Sequence, residues 1–446
     1  MKSQLKSITF GAVTKFSLPS PDRAPNAITV APDGSVWFGE QAIPGVAHLY
    51  TNGTLMEYVW PFNYSFQSGK NACSFKTDTW GIALWNGRVW ATDVVGNQLV
   101  GLDSRTGSVT TVKLAANDSF PYSLTAGPDG SLWFTELSSS RIGRLYSNGT
   151  LVEYPLQQGG LKESPTEIAF ANSTLGYYVS VGAGSGGSGP AIYAFNPQHF
   201  SPYQIAMNVT IVYPDSIAVA EGGLWIDQHG PSIIAFYNLR TNQLVPYPTS
   251  SITYTNTVLP YTVKANGSHI WFNEHYGNRM AVIDYAKGTL TEYSEADPPV
   301  TSASQIDNTL TFALGNDRAW FTGWTANYIG YVNASYRPSF SAPVLSNSIL
   351  TIPRGGEANL AVVVEGSALK PLSIKFSDSE SFGAIPRNIS LTSSVSSITL
   401  AGGEAQFTVT IKVAGSIQPG NYMLVITVTD GLIYRSSYVY LTVPSS

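Results

Sequence analysis

The sequence PYSLTAGPDGSLWFTE at residues 121–136, followed by RIGRLYSNGTLVEYPL at residues 141–156, decides the fold. It contains short β-prone runs that are separated by Asp-Gly and Asn-Gly pairs, which favour tight hairpin turns. The same pattern returns as APDGSVWFGE at 31–40 with LYTNGTLMEY at 49–58, and as IWFNE at 270–274 with GTLTEY at 288–293. A repeat of four short strands is typical of a β-propeller blade.

Weaker copies centre on Trp90, Tyr178, Trp225 and Trp320, so that seven copies can be counted. The last copy lacks an outer strand, whereas VTKFSLP at residues 13–19 resembles the outer strand LVEYPL of the third copy. We therefore expect an all-β fold in which residues 1–338 form a seven-bladed β-propeller closed by the N-terminal strand. The copies cover residues 25–61, 79–115, 121–156, 164–207, 213–249, 259–295 and 305–337.

The repeat ends near Pro338, and the remaining sequence has another pattern. Runs such as NLAVVV at 359–364, AQFTVTIKV at 405–413 and YMLVITV at 422–428 are rich in β-branched residues. Six to eight such strands in about 100 residues indicate an immunoglobulin-like β-sandwich. We predict this second domain over residues 339–446, acting as a spacer or an adhesive platform without a catalytic constellation.

Composition excludes several classes of function. The formal net charge is −5 and only 12% of the residues are charged, which argues against nucleic-acid binding through phosphate neutralisation. No apolar run is long enough for a transmembrane helix. Cys73 is the single cysteine, so the chain has neither a disulfide pair nor a zinc-binding cysteine motif. The expected partners are a small molecule, a glycan or a surface protein.

Asn-x-Ser/Thr acceptor sequences are frequent, which favours an extracellular or cell-surface location. We expect a secreted or surface-anchored glycoprotein whose signal and anchor segments are absent from this chain. The predicted glycosylation sites are Asn52, Asn63, Asn117, Asn148, Asn172, Asn208, Asn266, Asn333 and Asn388.

The repeat resembles the virginiamycin B lyase (streptogramin lyase) family over about residues 7–337. The family opens a cyclic depsipeptide antibiotic at its ester by elimination, with magnesium. The resemblance implies a histidine after the proline that opens the innermost strand of two late blades, and a glutamate just after the second strand of the last blade. Tyr261 stands after Pro260, the last copy begins NTLTF at 308–312, and its second strand ends at Gly323 and Trp324. The catalytic residues are therefore not matched, and the enzyme assignment stays open.

Antiparallel pairing predicts that the start of each innermost strand lies beside the end of the next strand, around the mouth of a central channel. Three interpretations compete for the polar residues there. They are a repeated structural device, a metal site, or a ligand-binding mouth. The strand starts are Asn26, Trp80, Tyr122, Asp215 and Tyr261, and the strand ends are Glu40, Asp93, Glu136, Gln228 and Glu274, followed by His229 and His275.

The metal interpretation uses Asp227, His229, Glu274 and His275, whose nitrogen and oxygen ligands would suit zinc, manganese or iron. Carboxylates alone would suit calcium. The ligand interpretation uses stacking on Trp80, Tyr122, Tyr261 and Trp324, which suits a glycan or a peptide.

Two functions follow from these interpretations. The first is an extracellular binding protein without streptogramin lyase activity. The alternative is a metal-dependent lyase or hydrolase with another substrate, for which Glu274 and His275 are the catalytic candidates.

Overall fold

The structure is a computed structural model, which describes residues 2–19, 23–41, 43–62, 79–158, 161–182, 189–207, 211–230, 232–250, 258–300, 302–378 and 388–445. The fold is all-β, and a 3₁₀ turn at Ala303–Gln305 is the one helical element in these ranges. None of the described segments is a helix of the length and hydrophobicity needed to cross a membrane. Cys73 lies outside the described residues.

The strands of the first three repeat copies are short and antiparallel. Each copy has four strands, in chain order, and three further strands precede the first copy. They are β1 (Lys2–Gln4), β2 (Ser7–Phe10), β3 (Val13–Ser17), β4 (Pro25–Val30), β5 (Val36–Glu40), β6 (Gly45–Leu49), β7 (Thr54–Val59), β8 (Ile82–Trp85), β9 (Arg88–Asp93), β10 (Gln98–Leu102), β11 (Val109–Lys113), β12 (Pro121–Ala126), β13 (Leu132–Glu136), β14 (Arg141–Leu145) and β15 (Leu151–Pro155).

The same pattern continues through the later copies. A small β16–β17 ladder precedes the fourth copy, and the last copy contributes three strands. The strands are β16 (Gln157–Gln158), β17 (Leu161–Lys162), β18 (Pro165–Asn172), β19 (Leu175–Ser180), β20 (Ala191–Phe195), β21 (Tyr203–Gln204), β22 (Ile217–Ala220), β23 (Gly223–Gln228), β24 (Ile233–Asn238), β25 (Gln243–Pro248), β26 (Pro260–Asn266), β27 (His269–Glu274), β28 (Arg279–Asp284), β29 (Thr289–Ser294), β30 (Thr309–Gly315), β31 (Arg318–Gly323) and β32 (Tyr328–Asn333).

Within these copies the strand order in each sheet follows the chain, as in β12-β13-β14-β15. Two sheets gain N-terminal strands. β1 pairs with β7 of the first copy, and the sheet of the last copy has the order β2-β3-β32-β31-β30. The strand at residues 13–17 is thus hydrogen-bonded beside the strand of the last copy that lacks an outer neighbour.

A large side chain opposite a small one explains the repeated sequence pattern. Phe134 of β13 faces Gly143 of β14, Phe321 faces Gly330, and Phe272 faces Ala281. A methyl group on Gly143 would overlap the ring of Phe134, which is fully buried. The glycine of the sequence RIGR therefore makes room for the aromatic ring of the neighbouring strand.

The recurring tryptophans of the repeat pack between successive sheets, which is a structural role. Trp90 belongs to a cluster with Leu124, Phe134 and other residues of the next sheet. Trp320 of the last copy packs in one cluster with Phe38 and Leu55 of the first copy. Burial of such rings is worth roughly 2–3 kcal/mol each, so the tryptophans are accounted for by packing.

Contacts divide the chain into two compact units. The first comprises Met1–Phe10, Thr14–Val219 and Asp307–Ala334, and the second comprises Gly11–Val13, Ala220–Ile306 and Ser335–Ser446. Within the second unit, β29 pairs with a strand of the C-terminal region, from Thr289 opposite Ser437 to Tyr293 opposite Ile433. The blade-like sheet β26–β29 and the C-terminal strands thus share backbone hydrogen bonds.

The C-terminal strands form two sheets. One continues the order β26-β27-β28-β29-β41-β40-β36-β38, with β34 beside β41, and the other has the order β33-β35-β39-β37. The immunoglobulin-like sandwich and the boundary at residues 338 and 339 stay predictions. The strands are β33 (Val344–Leu345), β34 (Ile349–Thr351), β35 (Glu357–Ser367), β36 (Leu372–Asp378), β37 (Ile389–Ser393), β38 (Ser397–Ile398), β39 (Ala401–Val413), β40 (Gly420–Thr429) and β41 (Ile433–Val443).

Candidate functional site

The start of each innermost strand lies directly opposite the end of the second strand. Pro121 pairs with Glu136 and Pro260 pairs with Glu274, and the register then shifts before Leu124 and before Val263. The same irregularity occurs after Pro25, Pro165 and Thr309. A bulge in this position turns the side chains of the strand start away from the regular ladder.

In three of the copies, the residue before the strand-end acid accepts backbone N–H groups at the start of the innermost strand. Thr92 Oγ1 accepts the N–H groups of Trp80 and Gly81 at 2.9 Å each. Thr135 Oγ1 accepts the Ser123 N–H at 3.1 Å, and Asn273 Oδ1 does the same for Thr262 at 2.8 Å. Thr135 of the sequence WFTE therefore stabilises the local fold, because the N–H of Ser123 would otherwise lose its hydrogen-bond acceptor.

The strand-end acids of the first unit are engaged within the fold. Glu40 is buried, and its Oε2 lies 3.7 Å from Nη1 of Arg23, whose Nη2 is 2.8 Å from Oε1 of Glu57. Burial raises the pKa of Glu40 to about 7, although Arg23 opposes the rise. Burial also raises the pKa of Glu136 to about 7, and the hydroxyl of Ser139 donates to its Oε2 at 2.6 Å. These contacts favour the interpretation of the acids as a repeated structural device.

Glu274 of the second unit has a similar environment. It is completely buried, with Oε2 at 3.9 Å from Nη1 of Arg279, and the same nitrogen is 3.6 Å from Oε1 of Glu292. Burial and the neighbouring Glu292 raise the pKa of Glu274 well above its ordinary value. Ser250 connects the group, since its N–H donates to Glu292 at 3.0 Å and its hydroxyl accepts from Arg279 at 2.8 Å.

His229, Tyr261 and His275 form a ring cluster in the second unit. The ring centroids are 5.2 Å apart for His229 and Tyr261, 5.7 Å for the two histidines and 5.8 Å for Tyr261 and His275. His229 Nδ1 lies 3.1 Å from the carbonyl oxygen of Pro260, which can only accept, so this nitrogen carries the proton. Burial lowers the pKa of His229, so the ring is neutral at pH 7 and its Nε2 is the proton-accepting atom.

The predicted metal ligands do not come together as a set. Glu274 faces Arg279, whereas Asp227 is fully buried inside β23. In the part of the chain that the structure describes, no group of three or more His, Cys, Asp or Glu side chains is arranged to hold a metal ion. A transition-metal site built from all four of the predicted ligands is therefore not supported by this arrangement.

The predicted aromatic residues fall into separate groups. Trp80 and Tyr122 stack with centroids 5.3 Å apart and planes at 19°. Phe120 completes the cluster, 6.2 Å from Trp80 and 6.4 Å from Tyr122, and all three side chains are half-buried. Trp324 instead donates its Nε1–H to Oε1 of Gln41 at 2.8 Å, while Tyr261 lies in the second unit. Phe120 escaped the sequence analysis, although an aromatic residue directly before Pro121 was the available signal.

The positions that match the catalytic residues of the resembled family carry other chemistry. Tyr261 belongs to the ring cluster, Thr309 at the start of β30 is fully buried, and Trp324 is held by Gln41. None of these side chains is a base at neutral pH.

The exposed glycosylation candidates lie in turns or at the ends of strands. In Asn52 and Asn148 the side-chain Oδ1 accepts the N–H of the threonine two residues later, at 2.9 Å in both cases. Asn63 and Asn208 lie outside the described residues, and Asn388 is half-buried. The exposed candidates are Asn52, Asn117, Asn148, Asn172, Asn266 and Asn333.

Comparison with known proteins gives a consistent assignment. Residues 71–175 match the model of the virginiamycin B lyase family. The selenomethionine-substituted virginiamycin B lyase of Staphylococcus aureus is 20% identical, with a TM-score of 0.59, and the match covers 72% of this chain and 98% of that chain. A streptogramin B lyase structure is 23% identical, with a TM-score of 0.56 and coverages of 72% and 97%.

A catalytically inactive histidine-to-alanine variant of the Staphylococcus aureus lyase, solved with quinupristin, is 19% identical with a TM-score of 0.58 over 72% of this chain and 98% of that chain. No curated protein matches the chain. Identities in this range carry the fold and not the activity. The match of residues 71–175 and the shared all-β, propeller-like fold together make this chain similar to the virginiamycin B lyase family.

Proposed function

We propose that this chain is an extracellular binding protein that takes a glycan, a peptide or a partner protein on the aromatic cluster of Trp80, Phe120 and Tyr122, without streptogramin lyase activity. We further propose that the repeat sheets are the seven blades of a propeller, closed by β3. The pairing of β3 with β32 supports closure, as does the common cluster of Trp320 with Phe38. Closure removes the exposed strand edges that an open array would leave.

The single observation that carries the binding function is the stacked Trp80–Tyr122 pair beside Phe120. Three half-buried rings at the start of two neighbouring innermost strands provide a large apolar face. Such rings bind the apolar face of a sugar or a peptide side chain, while the neighbouring backbone supplies hydrogen bonds. The exposed glycosylation candidates support the extracellular location.

The absence of lyase chemistry is argued from residue types. Proton abstraction requires a base within hydrogen-bond reach of the substrate. Tyr261, Thr309 and Trp324 stand where the resembled family has histidine, histidine and glutamate, or next to those positions, and they cannot accept a proton at neutral pH.

The experiment combines a binding screen with an activity test. Glycan and peptide arrays probed with the purified chain should give a ligand whose affinity falls about tenfold or more in Trp80→Ala and Tyr122→Ala, since loss of a stacked ring removes roughly 1–3 kcal/mol. Tyr203→Ala is the matched control, because Tyr203 is 61% exposed in the same unit and outside the cluster. Quinupristin should stay cyclic by mass spectrometry. Equal affinity of all three variants, or opening of quinupristin, would refute the proposal.

The second candidate is a proton-transfer enzyme that uses the His229, Tyr261 and His275 cluster without a metal. Its support is a neutral histidine whose Nε2 can accept a proton, next to a second imidazole. If an ester substrate is turned over, and His229→Gln and His275→Gln abolish turnover while Trp80→Ala does not, this candidate replaces the first.

A further inference from the structure

A cavity of about 490 Å³ lies in the first unit, between the sheet of β4–β7 and the sheet of β8–β11. It is formed at the hairpin turns of these sheets, at the opposite strand ends from Trp80. Its volume suits one or two sugar rings. The lining residues that matter are Asp33, Trp37, His48, Trp85, Arg88 and Ser104.

Arg88 is a cation without a counter-ion in this cavity. Its side chain is half-buried, no carboxylate in the described ranges lies at ion-pair distance from it, and its Nη1 has no hydrogen-bond partner. Partial burial of an unpaired guanidinium costs free energy. A bound carboxylate would offset this cost, because it can accept two parallel hydrogen bonds from the guanidinium.

Asp33 is the acceptor of the cavity. The backbone N–H and the hydroxyl of Ser35 donate to its Oδ1 at 3.0 and 2.6 Å, and these hydrogen bonds lower the pKa of Asp33. His48 Nε2 lies 2.7 Å from the same hydroxyl, and burial lowers the pKa of His48 to about 4, so this ring is neutral. The cavity thus presents one fixed anion, one fixed cation and no ion pair between them.

In the third copy, an arginine side chain occupies the position that corresponds to this cavity. There Arg144 forms an ion pair with Asp129, lies over the rings of Trp133 and Tyr146 and donates to the carbonyl of Pro197 at 2.7 Å. His48 pairs with Trp37 in the register in which Arg144 pairs with Trp133. Because histidine is shorter than arginine, the first copy keeps an open space beside its Asp-Gly turn.

The aromatic wall is rigid. The Nε1–H of Trp85 donates to the carbonyl of Gly130 at 3.0 Å, and its ring meets the edge of Trp90 at 5.8 Å. Trp37 stacks on His48 with centroids 3.9 Å apart. A fixed indole next to a carboxylate is the arrangement that holds a sugar ring, with the apolar face on the indole and the hydroxyls on the acid.

We propose that this cavity binds an acidic sugar unit of a glycan, with the sugar carboxylate on Arg88, hydroxyl groups on Asp33 and the ring face on Trp85. The site is separate from the cluster of Trp80 and does not depend on the function proposed above. Both charged residues and the indole are used by this one ligand class, since a neutral sugar leaves Arg88 without a counter-ion and a simple anion makes no contact with Asp33 or the indole.

The test is isothermal titration of the full chain with trigalacturonate, and with the neutral maltotriose as the comparison sugar. We expect trigalacturonate to bind, maltotriose to bind at least about tenfold more weakly, and Arg88→Gln to lose about tenfold or more in affinity for trigalacturonate. Arg105→Gln is the matched control, because the Arg105 side chain is 88% exposed and lies outside the cavity. It should keep the parental affinity.

A second variant separates loss of the site from loss of the fold. His48→Arg should fill the space as Arg144 does in the third copy, pair with Asp33 and abolish binding without lowering the melting temperature. No binding of trigalacturonate by the parent, equal affinity of the parent and Arg88→Gln, or full binding by His48→Arg would each overturn the proposal.

Discussion

Replacing Glu40 by glutamine should change how the stability of the protein depends on pH. Glu40 is buried beside Arg23, and burial raises its pKa from 4.5 to about 7 in the folded protein. Between these two values the folded chain holds a proton that the unfolded chain has released. Stability therefore falls as the pH rises from about 4.5 to 7.

The magnitude follows from the two pKa values. At about 1.4 kcal/mol for each pH unit between them, ionisation of Glu40 lowers the free energy of unfolding by about 3 kcal/mol above pH 7. Glutamine has nearly the same shape and no charge, so Glu40→Gln removes this loss. The free energy of unfolding of the variant should therefore rise by about 3 kcal/mol relative to that of the parent as the pH increases from about 5 to about 8.

The assay is urea denaturation of the parent and of Glu40→Gln at about pH 5 and pH 8, with the difference in the free energy of unfolding taken at each pH. The difference isolates Glu40, because the other buried acids are common to both proteins. Glu57→Gln is the control with the opposite sign, since it removes the closest partner of Arg23, at 2.8 Å, and should destabilise at pH 8. A difference between parent and Glu40→Gln that is the same at both pH values would refute the reasoning.

Three further predictions concern residues that hold the sheets together. Arg279→Met leaves Glu274 and Glu292 buried without their cation, so we expect a loss of about 3–5 kcal/mol at pH 8 and a smaller loss at low pH, measured by urea denaturation. Gly143→Ala drives a methyl group into the ring of Phe134 and should cost about 1–3 kcal/mol, whereas Gly403→Ala, where nothing lies within 4 Å, should be nearly neutral by the same measurement. Thr135→Val removes the acceptor of the Ser123 N–H and the donor to the Thr166 carbonyl, so the melting temperature should drop, while the exposed Thr111→Val should leave it unchanged.

The strands and their turns could be predicted from the sequence because both depend on short-range patterns. The pairs Asp-Gly and Asn-Gly mark the turns, and the β-prone runs between them form β12 to β15. The antiparallel argument expected Tyr122 beside Glu136 and Tyr261 beside Glu274, and the observed partners, Pro121 and Pro260, lie one residue earlier. The virginiamycin B lyase resemblance rested on the same local sequences and is confirmed.

The candidate site could be predicted only in part, because its contacts join residues that are far apart in the chain. Spacing could not show that Glu274 faces Arg279 and Glu292 while His229 and His275 share a cluster with Tyr261. The cavity at Arg88 was missed because it arises from one exchange, histidine for arginine at residue 48, whose effect appears only when sheets pack together.

The pairing of β29 with β41 sets an order of events during biosynthesis. The backbone groups of Thr289–Ser294 emerge from the ribosome well before residues 433–443, which provide their hydrogen-bonding neighbours. During that interval the nascent chain exposes a strand edge with unpaired backbone hydrogen-bonding groups, with which a strand of another nascent chain could pair. Correct folding thus requires that the edge of β29 does not pair with another chain before residues 433–443 have been synthesised.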